Sequence, residues 1–190
     1  MLKLLPNHVT TDYAITVQHD GFAVNNGYWL DDYLKYDYIG APWINKGGFQ
    51  YRVGNGGFSL RSKKLIQACA DNMVQRQPDK KHGHNEDKVI CEYFRSYLTN
   101  TYKLNYAPLH IAKLFSYEKG KAKTQLHTFG FHGPWNIPLV CNEVDAIDFV
   151  KETNWINKQG LLAKFKKNCD RVKYKECSKY IAKLQNTLRD

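Results

Sequence analysis

Strand-like and helix-like patterns alternate along this chain from residue 13 to about residue 142, and that alternation constrains its fold more than any other feature. Tyr13-Ala14-Ile15-Thr16-Val17-Gln18 reads as a buried strand and runs straight into His19-Asp20-Gly21-Phe22. Residues 29–38 form a short amphipathic segment with acids at its start, closed by Ile39-Gly40-Ala41-Pro42-Trp43. A turn at Lys46-Gly47-Gly48 leads to a short strand at Tyr51-Arg52-Val53. The glycine run Gly54-Asn55-Gly56-Gly57 and the alternating strand Phe58-Ser59-Leu60-Arg61-Ser62 follow. Residues 63–73 carry Leu65, Ile66, Cys69 and Met73 on one helical side, and residues 86–98 carry Val89, Ile90, Tyr93, Phe94 and Tyr97. A polar loop, 77–85, separates them. Leu104-Asn105-Tyr106-Ala107-Pro108 reads as a strand, 116–128 as a polar stretch, and Phe129-Gly130-Phe131-His132-Gly133-Pro134-Trp135 as an aromatic turn. Interleaved periods of this kind predict an α/β architecture, a sheet flanked by helices.

Beyond Asn142 the composition shifts to helix formers and lysine, and Tyr180, Ile181, Leu184 and Leu188 keep an apolar stripe. The expected organisation is a domain over residues 1–142 with a basic helical extension, 143–190, packed on it. The chain carries a net charge of +10, and residues 151–190 alone hold eleven Lys or Arg against four Asp or Glu. A basic end of that density suits a polyanion such as an anionic membrane surface, a phosphorylated substrate or nucleic acid, and suits a solvated helix face equally. No apolar run reaches the roughly 20 residues of a membrane span. The apolar part of Met1-Leu2-Lys3-Leu4-Leu5-Pro6 is shorter than a signal-peptide core. The five cysteines, odd in number and without a CxxC spacing, argue against a disulfide framework or zinc knuckle and fit a reducing cytoplasm.

Four places carry residue types suited to chemistry. Asp20, where the first strand ends, stands at the sheet edge at which open α/β folds bind ligands, and its carboxylate suits Mg²⁺ or Mn²⁺. It serves equally to open an Asx-turn, with Gly21 supplying a positive φ. Gly54, Gly56 and Gly57, around Asn55, strip side chains away so that backbone amides can approach a phosphate or sugar, or simply make a hairpin turn. Glu86 and Asp87 follow Asn85 at a helix entrance, where acids either cap the helix or act as a general base. His132, between Phe131 and Gly133, is a metal or phosphate ligand or a structural histidine. Trp43 and Trp135, each beside a proline, offer flat faces to a sugar ring or to the core. His82 and His84 lie in polar sequence and read as solvated.

In their joint order, Val17-Gln18-His19-Asp20-Gly21-Phe22, Tyr36-Asp37-Tyr38-Ile39-Gly40-Ala41-Pro42-Trp43, residues 53–62 and Phe129-Gly130-Phe131-His132-Gly133 resemble a family catalogued as a domain of unknown function (5672) and regarded as glycosyltransferase-like. The resemblance covers roughly residues 8–135. The order is also similar to that of GT-A nucleotide-sugar transferases, which share a metal-binding Asp-x-Asp, a glycine-rich loop, a Glu-Asp element and a late metal-binding histidine. The resemblance implies a GT-A-like mixed sheet flanked by helices. It makes Asp20 and His132 metal ligands, Gly54 to Gly57 the glycine loop, and Asp87 the catalytic base with Glu86 beside it. Two features depart from that pattern. Gln18 stands where the first acid of Asp-x-Asp is expected, and only nineteen residues precede Asp20, too few for the usual nucleotide-binding half.

The activity so implied is transfer of a sugar from a nucleotide-sugar donor to a hydroxyl of a glycan or lipid-linked acceptor. It would be assisted by Mn²⁺ or Mg²⁺ and proceed with inversion, retention being the alternative. Asp87 would activate the acceptor while Trp43 and Trp135 stack on sugar. Residues 151–190 would then rest on the anionic inner face of a membrane. The competing expectations are a non-catalytic basic protein that binds nucleic acid or glycan, and a degenerate transferase half. A nucleic-acid groove would interleave aromatic and basic residues, whereas here the aromatics gather in residues 20–60 and the lysines after 150. No specific nucleic acid is therefore expected.

Overall fold

The computed structural model describes residues 2–43, 52–75, 85–120, 124–153 and 159–188. The turn expected at Lys46-Gly47-Gly48, Tyr51 at the head of the expected strand, and His82 and His84 lie outside the described residues. The chain divides into two compact units, Met1–Lys119 with Thr128–His132, and Gly120–His127 with Gly133–Asp190.

The first unit holds two small three-stranded sheets flanked by helices. One is antiparallel, with β4 (Val53–Ser62) between β1 (Tyr13–Val17) and β3 (Tyr38–Pro42). The other is mixed. Its β6 (Gly130–His132) runs antiparallel to β2 (Gly21–Ala23) and parallel to β5 (Ser116–Tyr117). Strand β4 is buried along its whole length because it has a partner on each side. By contrast β1, expected to be buried, is an edge strand: Ile15 and Val17 are 39% and 56% exposed, although Leu60 and Phe58 opposite them are buried. β-branched composition marks a strand without saying how many neighbours it has.

Strand β3 supplies both cores of this unit through the two-residue period of a strand. Tyr38 enters a cluster with Trp43, Leu65, Ile90, Leu98 and Tyr106, while Ile39 enters one with Tyr33, Phe58, Leu60 and Phe115. Each fully buried large side chain contributes about 1.5–3 kcal/mol. At Ser62 the chain leaves the sheet for α1 (Lys63–Ala68). The Ser62 hydroxyl oxygen accepts the Leu65 amide at 3.0 Å, and the same hydroxyl donates to Asp37 Oδ1 at 2.5 Å. The helix expected over 63–73 stops at Ala68, and a short α2 (Asn72–Gln75) follows.

The helix expected over 86–98 is broken. A first turn, α3 (Glu86–Lys88), widens into a π-helical turn, Val89–Tyr93, and resumes after Phe94 as α4 (Arg95–Tyr102). The Tyr106 hydroxyl donates to the Ile90 carbonyl at 2.9 Å and stands in for an intrahelical donor. The strand expected at 104–108 reduces to one parallel bridge between Tyr38 and Tyr106, because Pro108 caps α5 (Leu109–Phe115). The segment expected over 29–38 is a 3₁₀ turn, Asp31–Lys35, that passes into β3.

The second unit is helical. After a 3₁₀ turn, Pro134–Leu139, come α6 (Glu143–Glu152), α7 (Gln159–Val172) and α8 (Lys175–Thr187). Ala146, Leu162, Phe165, Cys169, Cys177 and Ile181 are fully buried among its described residues. The Glu143 carboxylate accepts the amides of Glu176 and Cys177 at 2.7 and 3.0 Å, which caps the start of α8. Of the expected stripe, Ile181 is buried and Leu188, which caps the end of α8, is exposed. No disulfide joins the five cysteines. Among the described residues no helix is long and apolar enough to cross a membrane.

Candidate active site

The glycine run is not a loop. Gly54, Asn55, Gly56 and Gly57 lie inside β4, where the register with β3 jumps from Gly40 opposite Ser59 to Ala41 opposite Asn55. Residues 56–58 thus bulge away from β3, and three of the four positions lack a Cβ for three different reasons. A Cβ on Gly54 would lie 2.4 Å from the Trp43 ring, one on Gly56 2.6 Å from Glu86 Oε1, and one on Gly57 2.1 Å from His132 Nε2. The glycines let three separate side chains lie against one strand. Their amides do not cradle a ligand: the Gly57 amide donates to Asn55 Oδ1 at 3.0 Å, and the Gly56 amide donates to Asp87.

Around this strand is a cavity of ≈ 270 Å³, lined by Gln18, Trp43, Asn55, Gly56, Gly57, Asn85, Glu86, Asp87, Lys88, Glu118, Lys119 and His132. Residues from six separate stretches of sequence thus share one concavity, the usual form of a small-ligand site.

On one side Asp20, in the turn from β1 to β2, meets His132 at the end of β6. The His132 Nε2 lies 3.2 Å from Asp20 Oδ1 and 3.2 Å from Gln18 Oε1. That turn is tight because Gln18 N donates to the Gly57 carbonyl at 2.8 Å and Gly21 N to the Gln18 carbonyl at 2.9 Å. Gly21 is required here for close approach rather than for a positive φ. A Cβ on it would lie 2.5 Å from the Gly57 carbonyl oxygen, and its φ is not among the positive ones. Burial opposes ionisation of Asp20, but the hydrogen bond and charge of His132, with the charge of His19 and a backbone amide, outweigh it. They hold the carboxyl below its usual range.

These three side chains are the candidate cation ligands. Among the described residues no three His, Cys, Asp or Glu side chains cluster as a metal site, so the third donor has to be the Gln18 amide oxygen. The fit is good in two respects. The Asp20 Oδ1 is buried, and the His132 nitrogen is the group set against it, at 3.2 Å. Donor atoms about 3 Å apart also match neighbouring ligands of a hard cation held at about 2.0–2.1 Å.

On the other side stand Glu86 and Asp87, in the first turn of α3. They differ sharply. Glu86 is bound to Arg61, whose Nη2 lies 2.9 Å from Glu86 Oε1 and whose Nε donates to Ser59 Oγ at 3.0 Å. The Arg61 side chain is 1% exposed. Glu86 is therefore committed to a buried ion pair, and Asp87 is left to face the cavity. Burial, and then the charge of Glu86, raise the Asp87 carboxyl above its usual range, against the amides of Lys88 and Gly56 and the Lys88 charge. The Lys88 amide lies 2.8 Å from Asp87 Oδ1. A carboxylate made reluctant to ionise in this way is a stronger proton acceptor once it does.

Of the two tryptophans, Trp43 is largely buried over Gly54 and presents an edge to the cavity. Trp135 is not a lining residue. It belongs to the second unit, where Lys164 Nζ lies 4.4 Å above its ring and Asn168 donates to its carbonyl. Sequence reasoning missed Arg61, although a charge inside the strand pattern Phe58-Ser59-Leu60-Arg61-Ser62 asks for a buried partner. It also missed Glu118 and Lys119, which pair at 3.0 Å on the cavity wall. Nothing in the polar stretch 116–128 singles them out.

No curated protein and no solved structure matches the chain. The family model described as a protein of unknown function (DUF5672) matches residues 4–132, a span that ends on His132 and takes in every residue lining the cavity. With about two thirds of its length matched, the chain belongs to the DUF5672 family.

Proposed function

We propose that this chain is a glycosyltransferase of GT-A-like type, moving a sugar from a nucleotide-sugar donor to a hydroxyl of a glycan or lipid-linked acceptor. One observation carries the reading: the half-buried Asp87 carboxylate, which resists ionisation, lines the same cavity as the Gln18 amide and the His132 imidazole, and Asp20 stands 3.2 Å from that imidazole. Displacement at an anomeric carbon needs both, a base for the incoming hydroxyl and a counter-charge for the departing diphosphate. A divalent cation, Mn²⁺ or Mg²⁺, bound by Asp20, His132 and Gln18 would supply that counter-charge.

The remaining steps belong to the chain's own residues. Asp87 accepts the proton of the acceptor hydroxyl, which favours attack from the face opposite the leaving group and hence inversion. Arg61 holds Glu86, and through the chain the adjoining Asp87, against Gly56. Lys88 places positive charge on the wall that phosphate oxygens would meet, beside the Glu118–Lys119 pair. The edge of Trp43 supplies an apolar contact for a sugar ring.

The test is release of nucleoside diphosphate from a panel of nucleotide sugars with Mn²⁺, alone and with oligosaccharide or lipid-phosphate acceptors. Asp87→Asn should lower turnover by about 10²–10⁴-fold. Turnover unchanged in that variant, or no release from any donor by the folded wild type, refutes the reading. The exposed lysines Lys164, Lys167, Lys173, Lys175, Lys179 and Lys183 on and between α7 and α8 support peripheral attachment to an anionic membrane, at about 1 kcal/mol per engaged lysine. Failure to sediment with acidic liposomes at low salt refutes that part.

A further inference from the structure

Two thiols face each other across the corner between α7 and α8. Cys169 lies in the last turn of α7 and Cys177 in the first turn of α8. Both are fully buried, and Cys169 Sγ donates to Cys177 Sγ at 3.4 Å. Several contacts fix this corner. Lys173 takes a left-handed φ of 66°, and the Tyr174 amide donates to the Cys169 carbonyl at 2.9 Å. One residue further along each helix, Ser178 Oγ donates to Asp170 Oδ1 at 2.5 Å. From this separation, rotation of the two side chains brings the sulfurs to the roughly 2 Å of a disulfide bond.

The two thiols are not equivalent. The hydrogen bond from Cys169 lowers the Cys177 thiol below its usual value, against burial and the charge of Glu143. A place in the first turn of a helix favours the same thiolate. Giving that bond raises the Cys169 thiol, and burial raises it further. Burial also pushes Cys69 up to about 12 and Cys141 up to about 11, and raises Cys91. The cysteine readiest to ionise thus has a second thiol in contact with it, the arrangement of an attacking and a resolving cysteine.

We propose that Cys169 and Cys177 are an oxidation site, converted by a peroxide into an intramolecular disulfide that fastens α8 to α7. The Cys177 thiolate attacks one oxygen of hydrogen peroxide and breaks the O–O bond, leaving a sulfenic acid and hydroxide. That hydroxide takes up the proton that Cys177 gave away and becomes water. The Cys169 thiol then attacks the sulfenic sulfur, forms the S–S bond and releases a second water. Two thiols and one peroxide become one disulfide and two waters, the sulfurs losing the two electrons that the peroxide gains. Because both sulfurs are buried, the oxidant reaches them when α8 opens from α7, and the disulfide then closes that opening. The site lies within the helical unit and is independent of the transferase reading.

The experiment treats the full chain with hydrogen peroxide and reads peptide masses and thermal unfolding, with dithiothreitol as the reversing step. The wild type should lose two hydrogens, yield a cross-linked Cys169–Cys177 peptide and keep Cys69, Cys91 and Cys141 as thiols. Closing so short a loop should raise the unfolding midpoint of the helical unit by roughly 5–10 °C, and reduction should restore it. Cys169→Ala should stop at a sulfenic acid on Cys177, which dimedone labels, whereas Cys177→Ala should leave Cys169 unlabelled. Cys169→Ser and Cys177→Ser are the second pair should the alanine variants not fold, and the wild-type arms need no variant.

A wild type that keeps all five thiols under peroxide overturns the proposal. Pairing of either cysteine with Cys141, or cross-linking between chains, overturns it as well. A Cys169–Cys177 disulfide that leaves the midpoint unchanged overturns its role as a fastening of α8. Dimedone on Cys169 instead of Cys177 overturns the order of attack.

Discussion

A single methyl group at Gly57 tests whether the imidazole of His132 has to stand where it does. The residue sits in extended backbone without a positive φ, so alanine is acceptable to the main chain. The added carbon would lie 2.1 Å from Nε2, 2.2 Å from Cδ2 and 2.6 Å from Cε1 of His132. Reaching the 3.4 Å at which ordinary contact begins requires the ring to retreat by about 1.3 Å. Because Nε2 is 3.2 Å from both Gln18 Oε1 and Asp20 Oδ1, a retreat of that size breaks the convergence of all three donors. Overpacking of this kind costs about 1–3 kcal/mol, which lowers Tm by roughly 2–4 °C for each kcal/mol in a chain of this length. The functional loss should be larger than the loss of stability, since misplacing a site group by about 1 Å costs on the order of 10²-fold in rate. The assay pairs thermal unfolding with Mn²⁺ binding in the presence of uridine 5′-diphosphate and with turnover. Gly160→Ala is the control: a Cβ there meets nothing within 4 Å, and the helix should gain up to about 1 kcal/mol with no change in binding. If folded Gly57→Ala keeps wild-type Mn²⁺ binding and turnover, the imidazole is not a constrained ligand and the site argument fails.

Asp87→Asn should stabilise the protein near neutral pH even as it removes activity. The Asp87 carboxyl is raised in the folded state, so folding favours its protonated form, and its contribution is full below the unfolded value and lost as pH rises through the folded one. The stability difference between variant and wild type should therefore shrink on acidification below the ordinary carboxylate range; a difference independent of pH, measured by urea unfolding, counts against it. Glu86→Gln should be destabilising by about 3–5 kcal/mol, because it leaves the buried Arg61 guanidinium uncompensated. A loss under 1 kcal/mol in chemical denaturation would show that the pair is solvated. Ser62→Ala removes the cap of α1 and the bond to Asp37 together and should cost about 1–2 kcal/mol, read in the same way.

The composition of short segments was legible, but their neighbours were not. Tyr13–Val17 reads as a strand because its side chains suit a pleated surface, yet nothing in those five residues says that β4 lies on one side only. The break at Phe94 was hidden for a related reason. Apolar spacing over 86–98 fits a continuous helix, and the group that relieves the strained turn, the Tyr106 hydroxyl on Ile90, comes from sixteen residues away. Glu86 and Asp87 were legible as acids at a helix start but not as unequal ones. Their difference is made by Arg61, which arrives from β4 and commits Glu86 while burial acts on Asp87. The His132–Asp20 approach was expected only through resemblance, since 112 positions of sequence separate residues that stand 3.2 Å apart.

The glycine run shows how a correct location can carry the wrong mechanism. Three glycines in four residues suggest a loop whose amides reach a phosphate, but the amides of Gly56 and Gly57 already bind Asp87 and Asn55. What the glycines provide is space, used in turn by Trp43, Glu86 and His132. The two mechanisms respond differently to alanine. If amides bound the ligand, any of the three substitutions would weaken binding through the backbone in a similar manner. If space is the purpose, the effects separate by neighbour. Gly54→Ala displaces an aromatic contact, Gly56→Ala strains the Arg61–Glu86 pair, and Gly57→Ala moves the imidazole. Loss of cation binding confined to the last of these would identify β4 as a platform that sets side chains in place, and equal losses in all three would restore the amide cradle.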